Sequence, residues 1–426
     1  MIRHARQPIW ASFLILCAAL SAQPSRPIGP AQVFKEARQI WAAEGGRTWG
    51  RSLAGPLLLV DPDSRKVWAS EADGENQLRQ QDGLFVGTLP KSAAAANSAM
   101  EWAGKRWSVV LLPLLPEKDL ERRVLLLHES WHRIQPSLGL DVQDLPNGHL
   151  DKLEGRYWLQ LEWRALAKAL EARGAARRHW VAAALACRTY RQSLFPNAAE
   201  AERSLELAEG LAEYTGIHAA GAKGMALAKL RNANGPFARS FAYVSGPAYG
   251  LLLDDATPGW PKRVRRATDL SIVLQESYRL PTATLADAET AAAGLGGAEL
   301  RLREEAEDQA RQHRLALATD PLLKGPTLRV PGPFRIQFNP SNTESLDDGA
   351  AFHPTATYLG AWGRLEVTGG SLRAADFSEA RVPAPADLKA KPLKGPGWTL
   401  ELTPGWTLSA IEPVGSFRLI PDKKEK

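Results

Sequence analysis

Cysteine is nearly absent from this chain, with two in 426 residues. Cys17 falls in a leader-like segment, so a single thiol, Cys187, remains after cleavage and an intrachain disulfide is excluded. Stability must then come from burial, which a chain of this length can supply unaided. Long apolar runs are missing as well. None beyond the N-terminus approaches the about 18 residues a membrane helix needs, which predicts no stable membrane span after leader removal. Also missing is any basic stretch interleaved with aromatics. The formal charge of +6 has its densest clusters at 262–266 and 423–426, neither of which makes the basic face a nucleic-acid partner requires. No internal repeat is present.

The first 22 residues have the layout of an export signal. Arg3, His4 and Arg6 are followed by an apolar run over 9–20 and by the small residues of Ala19-Leu20-Ser21-Ala22. A run of about a dozen apolar residues suits a cleaved leader better than a mature span. Bulky Leu16 disfavours lipid attachment at Cys17. The expectation is an exported protein, periplasmic or extracellular, that begins near residue 23.

Histidine is scarce too, with 8 in the chain, yet two stand four apart in His128-Glu129-Ser130-Trp131-His132. Helical residues four apart lie one above the other, so both imidazoles leave the same face and can share a divalent ion. Glu129 is held beside them, where a carboxylate can take a proton from water activated by that ion. Val124, Leu125, Leu126 and Leu127 supply the apolar surface that buries this helix, and Pro136 ends it. The reading is a Zn2+ site with Glu129 as general base.

The rest of the chain predicts an α+β organisation. Residues 30–44 have helical spacing. Hairpins are expected at 56–60 with 66–70 and at 100–102 with 106–112, with another strand at 83–89. The motif helix should begin near 116–119. Helices then follow at 151–173, 176–194, 198–215, 223–231, 237–254, 268–279 and 285–318. Asn197 with Glu200 three residues on reads as the N-cap of the third of these. After Pro321 the pattern turns to period two, as in Phe334/Ile336/Phe338, predicting a separate small β domain over 322–426. The parts expected are thus a leader at 1–22, helix and sheet at 23–115, a helical part at 116–320 and the β domain.

Two histidines leave a catalytic zinc short of a third protein ligand. Positions 135 and 138 are Gln and Leu, so a third histidine is not in reach and a carboxylate is expected. Glu209 competes for this role with Asp151 and Glu154. Gly210 beside it would let a neighbouring helix approach closely, although Glu206, Glu209 and Glu213 could equally form one solvated acidic face. Asp151 and Glu154 could simply favour the start of the next helix. Tyr243 and Tyr249 fit either an oxyanion donor or two core aromatics. His149 and His218 read as ordinary single histidines, and Cys187 as a buried structural thiol.

The motif His128-Glu129-x-x-His132 followed by Glu209-Gly210-Leu211-Ala212-Glu213-Tyr214 resembles the gluzincin metallopeptidases, the group with a peptidase MA-like domain. The resemblance spans about residues 80–255. It implies a zincin-like domain, with a small N-terminal sheet and active-site helix ahead of a helical bundle. It implies zinc held by His128, His132 and Glu209. It also implies a hydrolase that cuts peptides or proteins. The spacing departs from compact members: 76 residues separate His132 from Glu209, and Asp151 occupies the place where such members carry their Glu. A catalytically inactive zincin-like envelope protein, acting as a binding or scaffold module, is the alternative function.

Overall fold

A computed structural model describes residues 28–90, 93, 95–143, 145–338, 343–346 and 349–422. The leader expected over 1–22 lies outside them.

Helix α1 (Pro30–Glu44) opens with a proline in its first turn and ends at Gly45 in the left-handed region, the asymmetry that sterics favour. Six strands follow: β1 (Leu57–Val60), β2 (Lys66–Ala69), β3 (Arg79–Gln81), β4 (Leu84–Thr88), β5 (Ser98–Trp102) and β6 (Lys105–Leu111). Among the described residues they form one sheet in the order β3-β4-β2-β1-β6-β5. Both expected hairpins are there, with Leu58 opposite Ala69 and Met100 opposite Trp107. The sheet is closed by a pairing between them that no hairpin provides: β1 runs parallel to β6, Leu57 opposite Ser108 and Val60 opposite Leu111. β1 is buried along its whole length. Alternate side chains serve alternate faces, so Leu57 and Leu59 join the core under the helices while Leu58 and Val60 pack with Val67, Trp107 and Val109 on the other side.

Helix α2 (Asp119–Ile134) packs across β5 and β6 and carries the histidine motif. Asp119 and Glu121 lie in its first turn, where the helix dipole favours negative charge. It is tied to α1 by the Arg122–Glu36 ion pair, 2.7 Å and almost fully buried, and by a 2.8 Å bond from Trp41 Nε1 to Ser130 Oγ.

The helical part continues with the hairpin α3 (Leu153–Glu171) and α4 (Gly174–Ser193). Next comes a helix running over 198–219 in three pieces: α5 (Ala198–Leu205), a π turn (Glu206–Gly210) and α6 (Leu211–Ala219). It starts where the sequence places it but not by the expected cap. Asn197 sits at φ 60 with no side-chain bond to the helix. A cap side chain reaches the first amides from an extended backbone, and the left-handed turn after Pro196 turns this one away.

Helices α7 (Lys223–Asn232), α8 (Phe237–Ser240), α9 (Ala242–Ala256) and α10 (Leu270–Ser277) complete the bundle around the α2/α6 pair. The charged helix expected over 285–318 is broken in two, α11 (Leu285–Gly294) and α12 (Gly297–Lys324), with Gly296 left-handed between them. α12 also runs past Pro321 to Lys324. The break expected at 321–322 is therefore displaced: a proline costs one hydrogen bond, here in a last turn that packs Leu322 into the interior.

Beyond it, described residues within 327–421 form a seven-stranded and a five-stranded sheet. They face each other over a core that includes Val330, Tyr358, Trp362, Leu365, Trp398 and Leu400. No helix among the described residues is long and apolar enough to cross a membrane.

Glycines set how closely the bundle helices approach. Gly210 and Gly246 let the π turn and α9 touch backbone to backbone: a Cβ on Gly246 would lie 2.4 Å from Gly210 Cα. At Gly216 a Cβ would meet the Val124 carbonyl of α2 at 2.6 Å. The missing side chains thus bring α2 and α9 hard against the 198–219 helix. The π turn is also anchored from behind. Glu206 takes two 2.7 Å bonds from Arg188, and Arg191 bridges Glu162 and Glu202, all five residues at most 1% exposed.

Candidate metal centre

α2 presents His128, Glu129 and His132 toward the π turn, and there they meet Glu209. The two Nε2 atoms are 3.1 Å apart, and Glu209 Oε2 lies 3.5 Å from that of His128 and 3.3 Å from that of His132. The π turn gives the long helix a local bulge, a feature often found at functional sites, and Glu209 leaves the chain from it.

Each imidazole is oriented from its far side. His128 Nδ1 is 2.9 Å from Glu213 Oε2. Burial would raise the Glu213 carboxyl, but the bond from His128 and the Lys229 ammonium 3.0 Å from Oε1 hold it below its usual value. An ionised carboxylate only accepts, so Nδ1 donates. His132 Nδ1 lies 3.2 Å from Gln135 Oε1, and the same amide spends its nitrogen on the Leu140 carbonyl at 2.8 Å, which fixes the amide's orientation. Both histidines therefore turn Nε2 toward Glu209.

Three acceptor atoms with mutual separations of 3.1, 3.3 and 3.5 Å repel one another unless a positive charge lies among them. A proton meets that demand in part. Burial would lower the His128 pKa, yet Glu209 and Glu213 hold it up to about 10. Glu209 is driven far below the carboxylate range, the histidines and Tyr243 outweighing burial. A divalent ion meets the demand fully. Tetrahedral zinc with bonds of about 2.0–2.1 Å separates its ligands by about 3.3 Å, the mean of the edges found here. Among the described residues this trio is the one group of His, Cys, Asp and Glu side chains with metal-ligand spacing, and two imidazoles with a carboxylate suit Zn2+. The residues present fit the ion.

No protein-family model, curated protein or solved structure matches this chain.

Glu129 is 4% exposed, and its Oε2 has no hydrogen-bond partner. Burial raises its carboxyl above the usual value while His128 and His132 oppose the shift. A buried carboxylate without a partner is costly for stability; a proton acceptor beside an activated water has this form. Tyr243 stacks on His128 with the rings 5.7 Å apart and 6° from parallel, and its hydroxyl donates to Glu209 Oε2 at 2.7 Å. The centre is open on one side: the His132 and Glu209 side chains are 15% and 18% exposed, against 6% for His128.

The competing carboxylates lie elsewhere. Asp151 accepts from the Phe237 and Ala238 amides at 2.8 and 3.3 Å, capping α8, and Glu154 pairs with Arg301. Tyr249 is a core residue bonded to Glu162, and His149 pairs with Glu202. Cys187 is buried, which pushes its thiol up to about 12. The solvated acidic face is absent: Glu206 and Glu213 are buried. In the sequence Glu213 reads as part of an acidic helix face, and neither it nor Gln135 is assigned a part in the centre. Glu213 carried a signal, since it stands four residues after Glu209 on a helix otherwise rich in apolar side chains.

Proposed function

We propose that this chain is an exported zinc-dependent metallopeptidase of the gluzincin type, built on a zincin-like domain and hydrolysing peptide bonds in peptides or proteins. One observation carries the reading: three lone pairs from two distant helices converge at 3.1–3.5 Å beside a buried carboxylate that has no partner. Export rests on the leader-like segment at 1–22.

His128, His132 and Glu209 would hold the ion. Zinc bound there supplies a Lewis acid that polarises a carbonyl and makes water more acidic. Glu129 takes the proton of the attacking water at its free Oε2 and returns it to the departing amine. The raised affinity of that carboxyl for a proton suits both halves of the transfer. Glu213 and Gln135 keep both imidazoles in the tautomer that leaves Nε2 free, as outer partners of metal-bound histidines do. Tyr243, with its hydroxyl already among the ligand atoms, can turn its O–H toward the oxyanion of the substrate.

The deciding experiment measures zinc per chain together with hydrolysis of a broad peptide library by wild type and Glu129→Gln. About one zinc in both proteins is expected, with turnover reduced by about 10²–10⁴-fold in the variant alone. A chain that takes up no zinc overturns the reading. Zinc uptake without turnover in the wild type would favour the inactive envelope protein instead.

A further inference from the structure

Glu206 and Glu213 stand seven residues apart on the 198–219 helix. Seven residues close two turns to within about 20°, so a straight α-helix would aim both carboxylates at one neighbour. They have different neighbours. Glu206 takes two 2.7 Å bonds from Arg188 of α4, whereas Glu213 lies 2.9 Å from His128 of α2 and 3.0 Å from Lys229 of α7. The π turn between them reconciles the two demands. Its closing bond runs from the Leu211 amide to the Glu206 carbonyl, five residues back, where an α-helix would use Leu207. That inserts one residue and turns everything after it by about 100°, one helical step.

Both halves of the helix are clamped. Ahead of the bulge, Arg191 holds Glu202 at 2.9 and 2.8 Å, and Arg188 holds Glu206. Behind it, Trp49 Nε1 donates to Thr215 Oγ1 at 2.9 Å, and Gly216 sits against the Val124 carbonyl. Straightening the helix would therefore pull Glu206 off Arg188 or Glu213 off His128. Each of those carboxylates is at most 7% exposed, so losing its partner would strand a buried charge. The contact of Gly210 with Gly246 makes room for the bulge, and the clamps hold its two ends. Glu209 leaves the chain from inside the misfit, and one step of rotation would carry it away from both histidines.

We propose, on the zinc reading of the centre, that Arg188 is a positioning residue for the third ligand. Among the described residues its charged partners are Glu206 at 2.7 Å, Glu162 at 3.6 Å and Glu202 at 3.7 Å, with the Tyr249 ring 5.3 Å away. None of these is a ligand of the centre. The Arg188 fork grips the first residue of the bulge, and through that grip it sets where Glu209 points.

Positioning and stability can be separated. In Arg188→Met combined with Glu206→Leu, apolar side chains replace both charges, so none is stranded while the clamp is gone. Zinc dissociation constants are measured on the full chain against a competing chelator, and amide exchange over 207–211 is measured without metal. The double variant should bind zinc about tenfold or more weaker, the usual cost of losing an outer support. Its amides at 207–211 should exchange about tenfold faster than in wild type, while those in the middle of α4 keep their protection. Arg188→Lys keeps the charge without the fork and should fall between the two in affinity. Leu185→Ala, three residues away on α4 and buried, weakens the packing but leaves the clamp, and should bind zinc as wild type does. Wild-type affinity in the double variant overturns the proposal. So does an equal loss in Leu185→Ala, which would make the effect one of stability alone. A wild type that takes up no zinc overturns the reading of the centre as well.

Discussion

Glu213 Oε2 lies 2.9 Å from His128 Nδ1 while its other oxygen faces Lys229 at 3.0 Å. This carboxylate therefore decides which nitrogen of His128 faces Glu209. Glu213→Gln keeps the shape but can present an N–H to the ring, and the favoured tautomer is lost. Zinc affinity, measured against a competing chelator, should fall about 10–100-fold, the usual cost of removing an outer partner. An unchanged affinity would show that the His128 tautomer is fixed by something else.

The metal-free chain should respond to pH through the same histidine. Its folded pKa, about 10, is above the ordinary 6.5. The stability this contributes is fully present below 6.5 and is lost as pH rises through about 10. Zinc requires that proton to leave, so uptake should weaken as pH falls. Melting curves at several pH values, with zinc and with chelator, should diverge more at pH 9 than at pH 6.

The backbone contact between Gly210 and Gly246 offers a test without chemistry. Gly246→Ala puts a methyl 2.4 Å from Gly210 Cα, and α9 must move off the π turn. Unfolding in denaturant should show a loss of about 1–3 kcal/mol, with zinc affinity falling in parallel because Glu209 leaves the chain one residue away. Full stability with normal zinc uptake would mean that the helices part without disturbing the site.

Arg188→Met leaves Glu206 buried at 1% exposure with its bidentate partner gone. Breaking one side of a buried pair costs about 3–5 kcal/mol, so the midpoint of unfolding should fall steeply. Arg188→Met combined with Glu206→Leu should recover much of that loss, because the cost comes from the stranded charge.

Much of this architecture was legible in the residues. α1 matches its spacing from Pro30 to Glu44, and the two hairpins and the motif helix lie where turn residues and apolar runs put them. Local patterns determine such elements. What escaped depends on distant partners. The parallel β1–β6 pairing leaves no turn signature, and β3 is exposed along its length, so no alternation marks it. The π turn is set by a crossing with α9; Gly210 hinted at the close approach but not at the bulge. Asn197 and Pro321 show the reverse failure, local signals overridden by a left-handed turn and by a buried leucine. In the candidate site, the spacing of His128 and His132 gives their shared helix face. That Glu209 joins them while Asp151 caps α8 could be seen only once the helices were docked.

The π turn also has a consequence for how the molecule is made. Synthesis delivers both histidines before the 76 residues that separate His132 from Glu209, and the intervening hairpin has to fold back before the carboxylate arrives. A nascent chain can therefore offer a passing cation only half a cage. On the proposed reading, selective capture would wait until α2 and the later helix have docked, which would make loading a checkpoint on completed assembly rather than a seed for it.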